Sequence, residues 1–166
     1  MTIPGVLRKG AGVLARLLRR DDAVAAVEFA ILGSTFLMMV CMTLELGLIL
    51  FTQSVMDNAL RDAARLIQTN QASSSSTFTT KVCGEVGNLI PSCSTNLKYY
   101  VQTASLFSSM TAQTAFSSNA YTAGSASADM LAQIAYQRPT ITHWATVFFG
   151  TNDMIISTVA FQNEPY

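Results

Sequence analysis

Residues 24–51, VAAVEFAILGSTFLMMVCMTLELGLILF, form one apolar run whose only charged side chains are Glu28 and Glu45. A helix rises about 1.5 Å per residue, so this run exceeds the roughly 30 Å of a bilayer's hydrocarbon core and leaves length to tilt or project. One transmembrane helix is expected here. Later apolar runs, such as 144–149, are too short to cross. A removable signal peptide has an apolar core of only about 7–15 residues followed by a small-residue cleavage site. This core is longer and runs on without a convincing Ala-x-Ala site, so it reads as an anchor.

The charges place that anchor. Only 12% of the side chains are charged, well below the roughly 25% usual in soluble proteins. Ten basic and ten acidic residues cancel, yet Arg8, Lys9, Arg16, Arg19 and Arg20 all precede the first acid, Asp21. By the positive-inside rule residues 1–22 stay in the cytoplasm and the chain beyond the span is exported. No comparable basic block follows, which excludes a phosphate-tracking surface and a nucleic-acid partner. A length of 166 residues suits one modest domain plus an anchor and excludes a two-domain enzyme.

Past the span the pattern becomes amphipathic. At 100° per residue Val55, Met56, Ala59, Leu60, Ala63, Leu66 and Ile67 fall within one arc, with Asp57, Asn58, Arg61, Asp62 and Arg65 outside it. Residues 53–68 therefore continue the membrane helix, with Asp57 and Arg61 as an i,i+4 pair on the solvated side. The run 72–77, ASSSST, has linker composition and ends the helix near Thr69. Phe78, Val82, Val86 and Leu89 then recur at helical spacing, with Thr79 or Thr80 as the cap and Pro91 as the stop. Leu97, Tyr99 and Val101 alternate with wetter neighbours as a strand, and so do residues 130–137 and 155–162, with Ile155, Ser157, Val159 and Phe161 sharing a face. Arg138 and Pro139 end the middle strand, and residues 150–153 supply turn chemistry before the last. Residues 104–129 read as a long surface loop with a helical turn around 107–110. The expected fold is α+β, a long N-terminal helix lying on a small, mainly antiparallel sheet.

Chemistry is sparse. Cys83 and Cys93 flank Pro91 on the exported, oxidising side, so a disulfide is expected, whereas Cys41 lies inside the span and reads as a small hydrophobe. His143 is the only histidine. It is too few for a zinc site, and beside Trp144 it reads as a turn or core residue rather than as part of a nucleophile triad. No phosphate loop, dinucleotide fingerprint or nucleophile elbow occurs, so no cofactor, metal or catalytic residue is expected. The polar residues that stand out are Glu28 and Glu45, because an intramembrane charge costs at least about 2.5–3.5 kcal/mol and usually has a partner or a function. Ala26, Ala30 and Ser34 repeat at i,i+4 and form a small-residue seam along which another helix can approach.

A short basic leader, then AVAAVEFA (23–30) and a long apolar helix, resembles the signal sequences of type IV prepilins. More narrowly, AAVEFAIL, LELG (44–47), ALRDAARLIQTNQ (59–71) and the terminal AFQNEPY (160–166) resemble TadE-like proteins of the tight-adherence pilus system. The resemblance implies a pilin-like α+β fold and a non-enzymatic minor pseudopilin that supports pilus assembly. Its parts would be a leader at 1–23, a transmembrane helix at 24–51, an amphipathic continuation at 52–71 and a periplasmic domain at 72–166. It further implies cleavage by a prepilin peptidase between Ala23 and Val24, although the family commonly has glycine where Ala23 stands. Its partners would be the major pilin, other minor pseudopilins, the inner-membrane assembly platform and membrane lipid. The alternatives are an anchored, adhesin-like exported binding module and, more remotely, a membrane-tethered enzyme.

Overall fold

The computed structural model describes residues 21–142, 146–147, 150 and 153–165. The basic leader residues, His143, Trp144 and the terminal Tyr166 lie outside the described residues, as does part of the expected 150–153 turn. Helix α1 runs Asp21–Gln68, 48 residues without interruption. The chain divides into two compact units, Met1–Leu44 and Glu45–Tyr166. The long helix, its end near Thr69 and the α+β class all agree with the sequence reading.

In the first unit the described part of α1 exposes its apolar side chains: Phe29 is 78% exposed, and Leu32, Phe36, Leu37 and Met39 are similarly bare. Its hydroxyls turn back onto the helix, Ser34 Oγ donating to the Ile31 carbonyl at 3.0 Å, Thr35 Oγ1 to the same carbonyl at 2.9 Å and Thr43 Oγ1 to that of Met39 at 2.9 Å. A polar group satisfied within its own helix presents little unpaired polarity to an apolar surrounding.

In the second unit α1 is the spine of the core. Met56, Ala59, Leu60, Ala63, Ala64 and Ile67 are buried, the stripe that the 100° periodicity marks out. Asn70, at φ 55°, ends the helix in a left-handed turn, with Gln71 N and Ala72 N donating back to the Leu66 carbonyl at 2.8 and 3.0 Å. Asn tolerates that conformation at a helix C-terminus better than most residues. Helix α2, Ser75–Val86, is capped by Ser74, whose Oγ accepts from Thr77 N at 3.3 Å. The cap is thus not Thr79 or Thr80: Thr79 lies inside the helix and donates to the Ser75 carbonyl at 2.8 Å. A short helix α3, Cys93–Asn96, follows the Pro91 turn.

Four strands form one sheet, β1 Leu97–Ala104, β2 Ala120–Tyr121, β3 Asp129–Arg138 and β4 Asp153–Gln162, in the order β2-β1-β3-β4. The β1–β3 and β3–β4 pairs are antiparallel, and β1–β2 is parallel. The sheet is therefore mixed; the 3-10 turn Phe107–Ser109 falls where a helical turn is expected, whereas strand β2 interrupts what the sequence presents as a loop. One face packs Leu97, Val101, Met130, Ala132, Ile134, Tyr136, Ile155 and Phe161 against α1 and α2. Phe78 of α2, fully buried, sits edge-on to Tyr99 with centroids 6.0 Å apart and 5.7 Å from Tyr121. Burying such a side chain stabilises by about 1.5–3 kcal/mol. The opposite face of β3 is covered as well. Gln133 Oε1 accepts from Gln113 N at 2.7 Å while its Nε2 donates to Thr158 Oγ1 at 3.0 Å, which pins the 105–119 connection over the sheet.

Candidate functional site

Glu45 opens the second unit, and its surroundings answer what an acid is doing in an apolar helix. It is 2% exposed, and its Oε1 accepts from Arg138 Nη1 at 2.8 Å and from the Ile141 backbone N–H at 3.3 Å. Arg138 ends β3 and is itself buried, so the two charges neutralise each other out of water. The helical phase explains the placement: Glu45, Ile49, Thr52 and Met56 share the arc that faces the domain, while Leu46, Leu48, Leu50 and Phe51 on the other side are exposed. Glu45 is therefore fastened to the end of the sheet, with Arg138 as its partner.

A second fastening lies twelve residues further along α1, about 18 Å up its axis. Asp57 Oδ1 accepts from Ser157 Oγ on β4 and from Gln53 Nε2 at 3.0 Å, and Gln53 also donates to the Ile156 carbonyl at 3.1 Å. This corrects the expected surface pair: Asp57 faces β4, while Arg61 is exposed. A third lies at the helix end, where Glu164 N donates to the Gln68 carbonyl at 3.1 Å. Next to it Asn163, buried, donates through Nδ2 to the carbonyls of Ala123 and Ser125, both at 3.0 Å. The terminal residues that carried part of the resemblance thus lock β4 to the turn before β3.

The other expected residues are arranged as follows. Ala23 and Val24 lie in the first turn of α1. Glu28 is exposed, as are Ala26, Ala30 and Ser34, so the small-residue seam is open. Cys83 and Cys93 are joined by a disulfide, with Cα atoms 5.7 Å apart, that ties α2 to α3. Cys41 is a free thiol, partly exposed. Among the described residues no three His, Cys, Asp or Glu side chains gather as a metal site.

Lys81 donates to Glu85 at 2.6 Å, and that hydrogen bond raises its pKa above the ordinary lysine value. Burial pushes the Tyr121 phenol up to about 12, and its O–H donates to the Ala72 carbonyl. The polar contacts of this unit are those of a fastened scaffold.

Arg138, Gln133 and Asn163 escape the sequence reading. A signal for Arg138 does exist: it is the only Lys or Arg after Lys98, it ends a strand of largely apolar residues, and a buried charge demands a counter-charge. Glu45, alone in its own apolar stretch, is the matching orphan.

The architecture defines a class: among the described residues one helix is long and apolar enough to cross a membrane, and its continuation is the spine of a small α+β domain. A family model described as TadE-like protein matches residues 23–65. The TadE-like resemblance thus holds over the stretch from the first turn of α1 to its buried stripe, and the match implies involvement in the tight-adherence pilus system. No curated protein and no solved structure matches the chain.

Proposed function

We propose that this protein is a minor pseudopilin of a tight-adherence pilus. It is a non-enzymatic, single-pass protein of the bacterial inner membrane, with its N-terminus in the cytoplasm and its α+β domain in the periplasm. It primes or supports fibre assembly alongside the major pilin and other minor subunits on the inner-membrane platform. The observation that carries this reading is the matched segment itself, in which one helix passes from a stretch of exposed apolar side chains to the buried spine of a domain. A subunit that waits in a bilayer and then packs into a helical assembly needs such a helix. Its apolar half requires lipid before assembly and other helices after it, because apolar surface is driven out of water.

Residues 24–51 are the membrane-facing segment in this reading. Residues 45–51 share their circumference between the domain and lipid. A prepilin peptidase cuts between Ala23 and Val24, and the helix remains in place after the leader is lost. The Cys83 and Cys93 disulfide suits an oxidising compartment.

The test is deletion of the gene with complementation, pili being sheared and the subunit sought in them by mass spectrometry. Loss of pili on deletion, restored by the intact gene, is expected. Normal piliation without the protein would overturn the assembly role, and a full-length chain with its leader retained would favour an anchored binding module.

A further inference from the structure

We propose that the cleft around Lys98 binds the phosphate of an anionic phospholipid, with the lysine as its cation. This rests on the reading of residues 24–51 as membrane-facing. Those residues rise about 40 Å along α1, which matches the roughly 40–45 Å of a bilayer with its headgroup layers. Phe51, the last exposed large apolar side chain of α1, therefore marks headgroup depth on the domain's side.

The sheet brings Lys98 to that depth. Glu45 holds Arg138 at the level of residue 45, and Phe51 lies about 9 Å further along the helix. Lys98 is in register with Ala135, three residues before Arg138 on β3 and about 10 Å along the strand. The directions agree as well. Gln53 meets Ile156, Asp57 meets Ser157 and Gln68 meets Glu164, so α1 runs with β4 and against β3. Stepping back along β3 from Arg138 to Ala135 thus climbs toward the level of Phe51.

Lys98 has no other charge to serve. It is the only Asp, Glu, Lys or Arg from residue 86 to residue 128, and among the described residues nothing pairs with its ammonium. Alternation along β1 turns Leu97 and Val101 into the core and Lys98 to the opposite face. There it lines a cleft of about 490 Å³ whose walls include Thr95, Asn96, Phe116, Tyr136 and Gln137, and among the described residues no carboxylate lines it. The walls are held. Asn96 Nδ2 donates to the Pro91 carbonyl at 2.6 Å, and Phe116 comes from the connection that Gln133 pins at Gln113. Lysine binds phosphate as a point charge, and the ring of a tyrosine suits the level where hydrocarbon gives way to water. Charge complementarity and depth together select a lipid phosphate over an acidic peptide. A phosphate bound there gives the domain a hold on the leaflet besides its helix.

The full-length protein in neutral detergent is titrated with dihexanoyl phosphatidylglycerol, and binding is read by calorimetry against dihexanoyl phosphatidylcholine and inorganic phosphate. Saturable binding of the glycerol lipid is expected, weakened by about tenfold in Lys98→Gln and largely kept in Lys98→Arg. Arg65→Gln, which removes an exposed charge elsewhere on the domain, should bind as the wild type does. Equal weakening by Arg65→Gln overturns the site, because the attraction is then to net charge alone. Phosphatidylcholine bound as tightly as phosphatidylglycerol overturns it too, and inorganic phosphate bound as tightly as the lipid assigns the cleft to a free anion instead. Flotation with phosphatidylcholine vesicles reads the premise separately. Protein that floats but shows no Lys98-dependent binding overturns the site and spares the anchor, whereas protein that does not float overturns both.

Discussion

Arg138 Nη1 and Glu45 Oε1 are 2.8 Å apart across 93 positions of sequence, an ion pair buried on both sides that joins the end of β3 to the point where α1 enters the domain. Such a pair returns little net stability relative to apolar residues, because both charges lose their hydration. Removing one partner is another matter. Glu45→Ala strands a buried guanidinium and is expected to destabilise the domain by about 3–5 kcal/mol. Adding Arg138→Met to that variant should restore much of the loss. Thermal unfolding of the full chain in detergent reads both, and a Glu45→Ala variant that melts with the wild type would show the pair to be solvated.

The pair also marks where sequence reading stops. The course of α1 is legible because its signal is local: an unbroken apolar run, then a 100° stripe of Met56, Ala59, Leu60, Ala63 and Ile67, then a serine run. The strands declare themselves by alternation. Strand β2 does not, since Ala120 and Tyr121 are joined to β1 by main-chain bonds that carry no side-chain pattern. The cap at Ser74 rather than Thr79 turns on which of several neighbouring hydroxyls meets a free N–H. Asp57 has the spacing of a surface pair with Arg61 and yet bonds Ser157, a hundred positions away, which no local periodicity reports. Glu45 was legible as an anomaly, but its partner is set by the sheet register that brings Arg138 to it.

Asn163 closes the C-terminal end of the sheet through two donors from one amide. Truncation to alanine leaves the Ala123 and Ser125 carbonyls without them, a loss of about 1–3 kcal/mol. Chemical denaturation should show the drop, and amide exchange should quicken around residues 123–128 ahead of the rest of the domain. Uniform exchange across the domain would instead mean that Asn163 is only one contact among many.

The Tyr121 phenol gives the domain a base-labile element. Burial lifts its pKa to about 12 from 10.0, so the unfolded chain gives up this proton first. The stabilising contribution is complete below pH 10 and disappears as the pH climbs through about 12. Lys81, raised by its hydrogen bond to Glu85, titrates with the same sign, so Tyr121→Phe should flatten the alkaline fall in stability without abolishing it. Melting curves of the two proteins from neutral pH to pH 12 make the comparison, and identical alkaline slopes would refute it.

The disulfide between Cys83 and Cys93 closes a loop of sequence separation 10. By the chain-entropy estimate its removal costs about 3 kcal/mol. Cys83→Ser and reduction of the wild type should lower the denaturation midpoint by the same amount, since both remove one cross-link. Thiol labelling under denaturing conditions should find Cys41 alone before reduction and all three cysteines after it. Equal labelling in both states would mean the bond does not form in the exported protein.

Glu28 is exposed, and among the described residues no ion pair joins it, whereas Glu45 on the same helix is buried and paired. Cleavage between Ala23 and Val24 would place a new ammonium on Val24, four residues away, about one helical turn and so near the same depth. The carboxylate then has a partner of opposite charge, either the chain's own or that of a neighbouring subunit brought close along Ala26, Ala30 and Ser34. At an effective dielectric of about 20, opposite charges roughly 4 Å apart attract by about 4 kcal/mol, comparable with the cost of at least about 2.5–3.5 kcal/mol for an unpaired intramembrane charge. An attraction of that size between subunits fixes helix register. Glu28→Ala is therefore expected to insert and fold but to impair pilus assembly, with Glu28→Asp partly competent because it keeps the charge on a shorter arm. The premise is read separately, by the intact mass of the purified wild-type chain, which should begin at Val24. A mature chain beginning at Val24 together with normal piliation by Glu28→Ala would sink the pairing while sparing the cleavage. A leader retained in piliated cells would remove the ammonium and the argument with it.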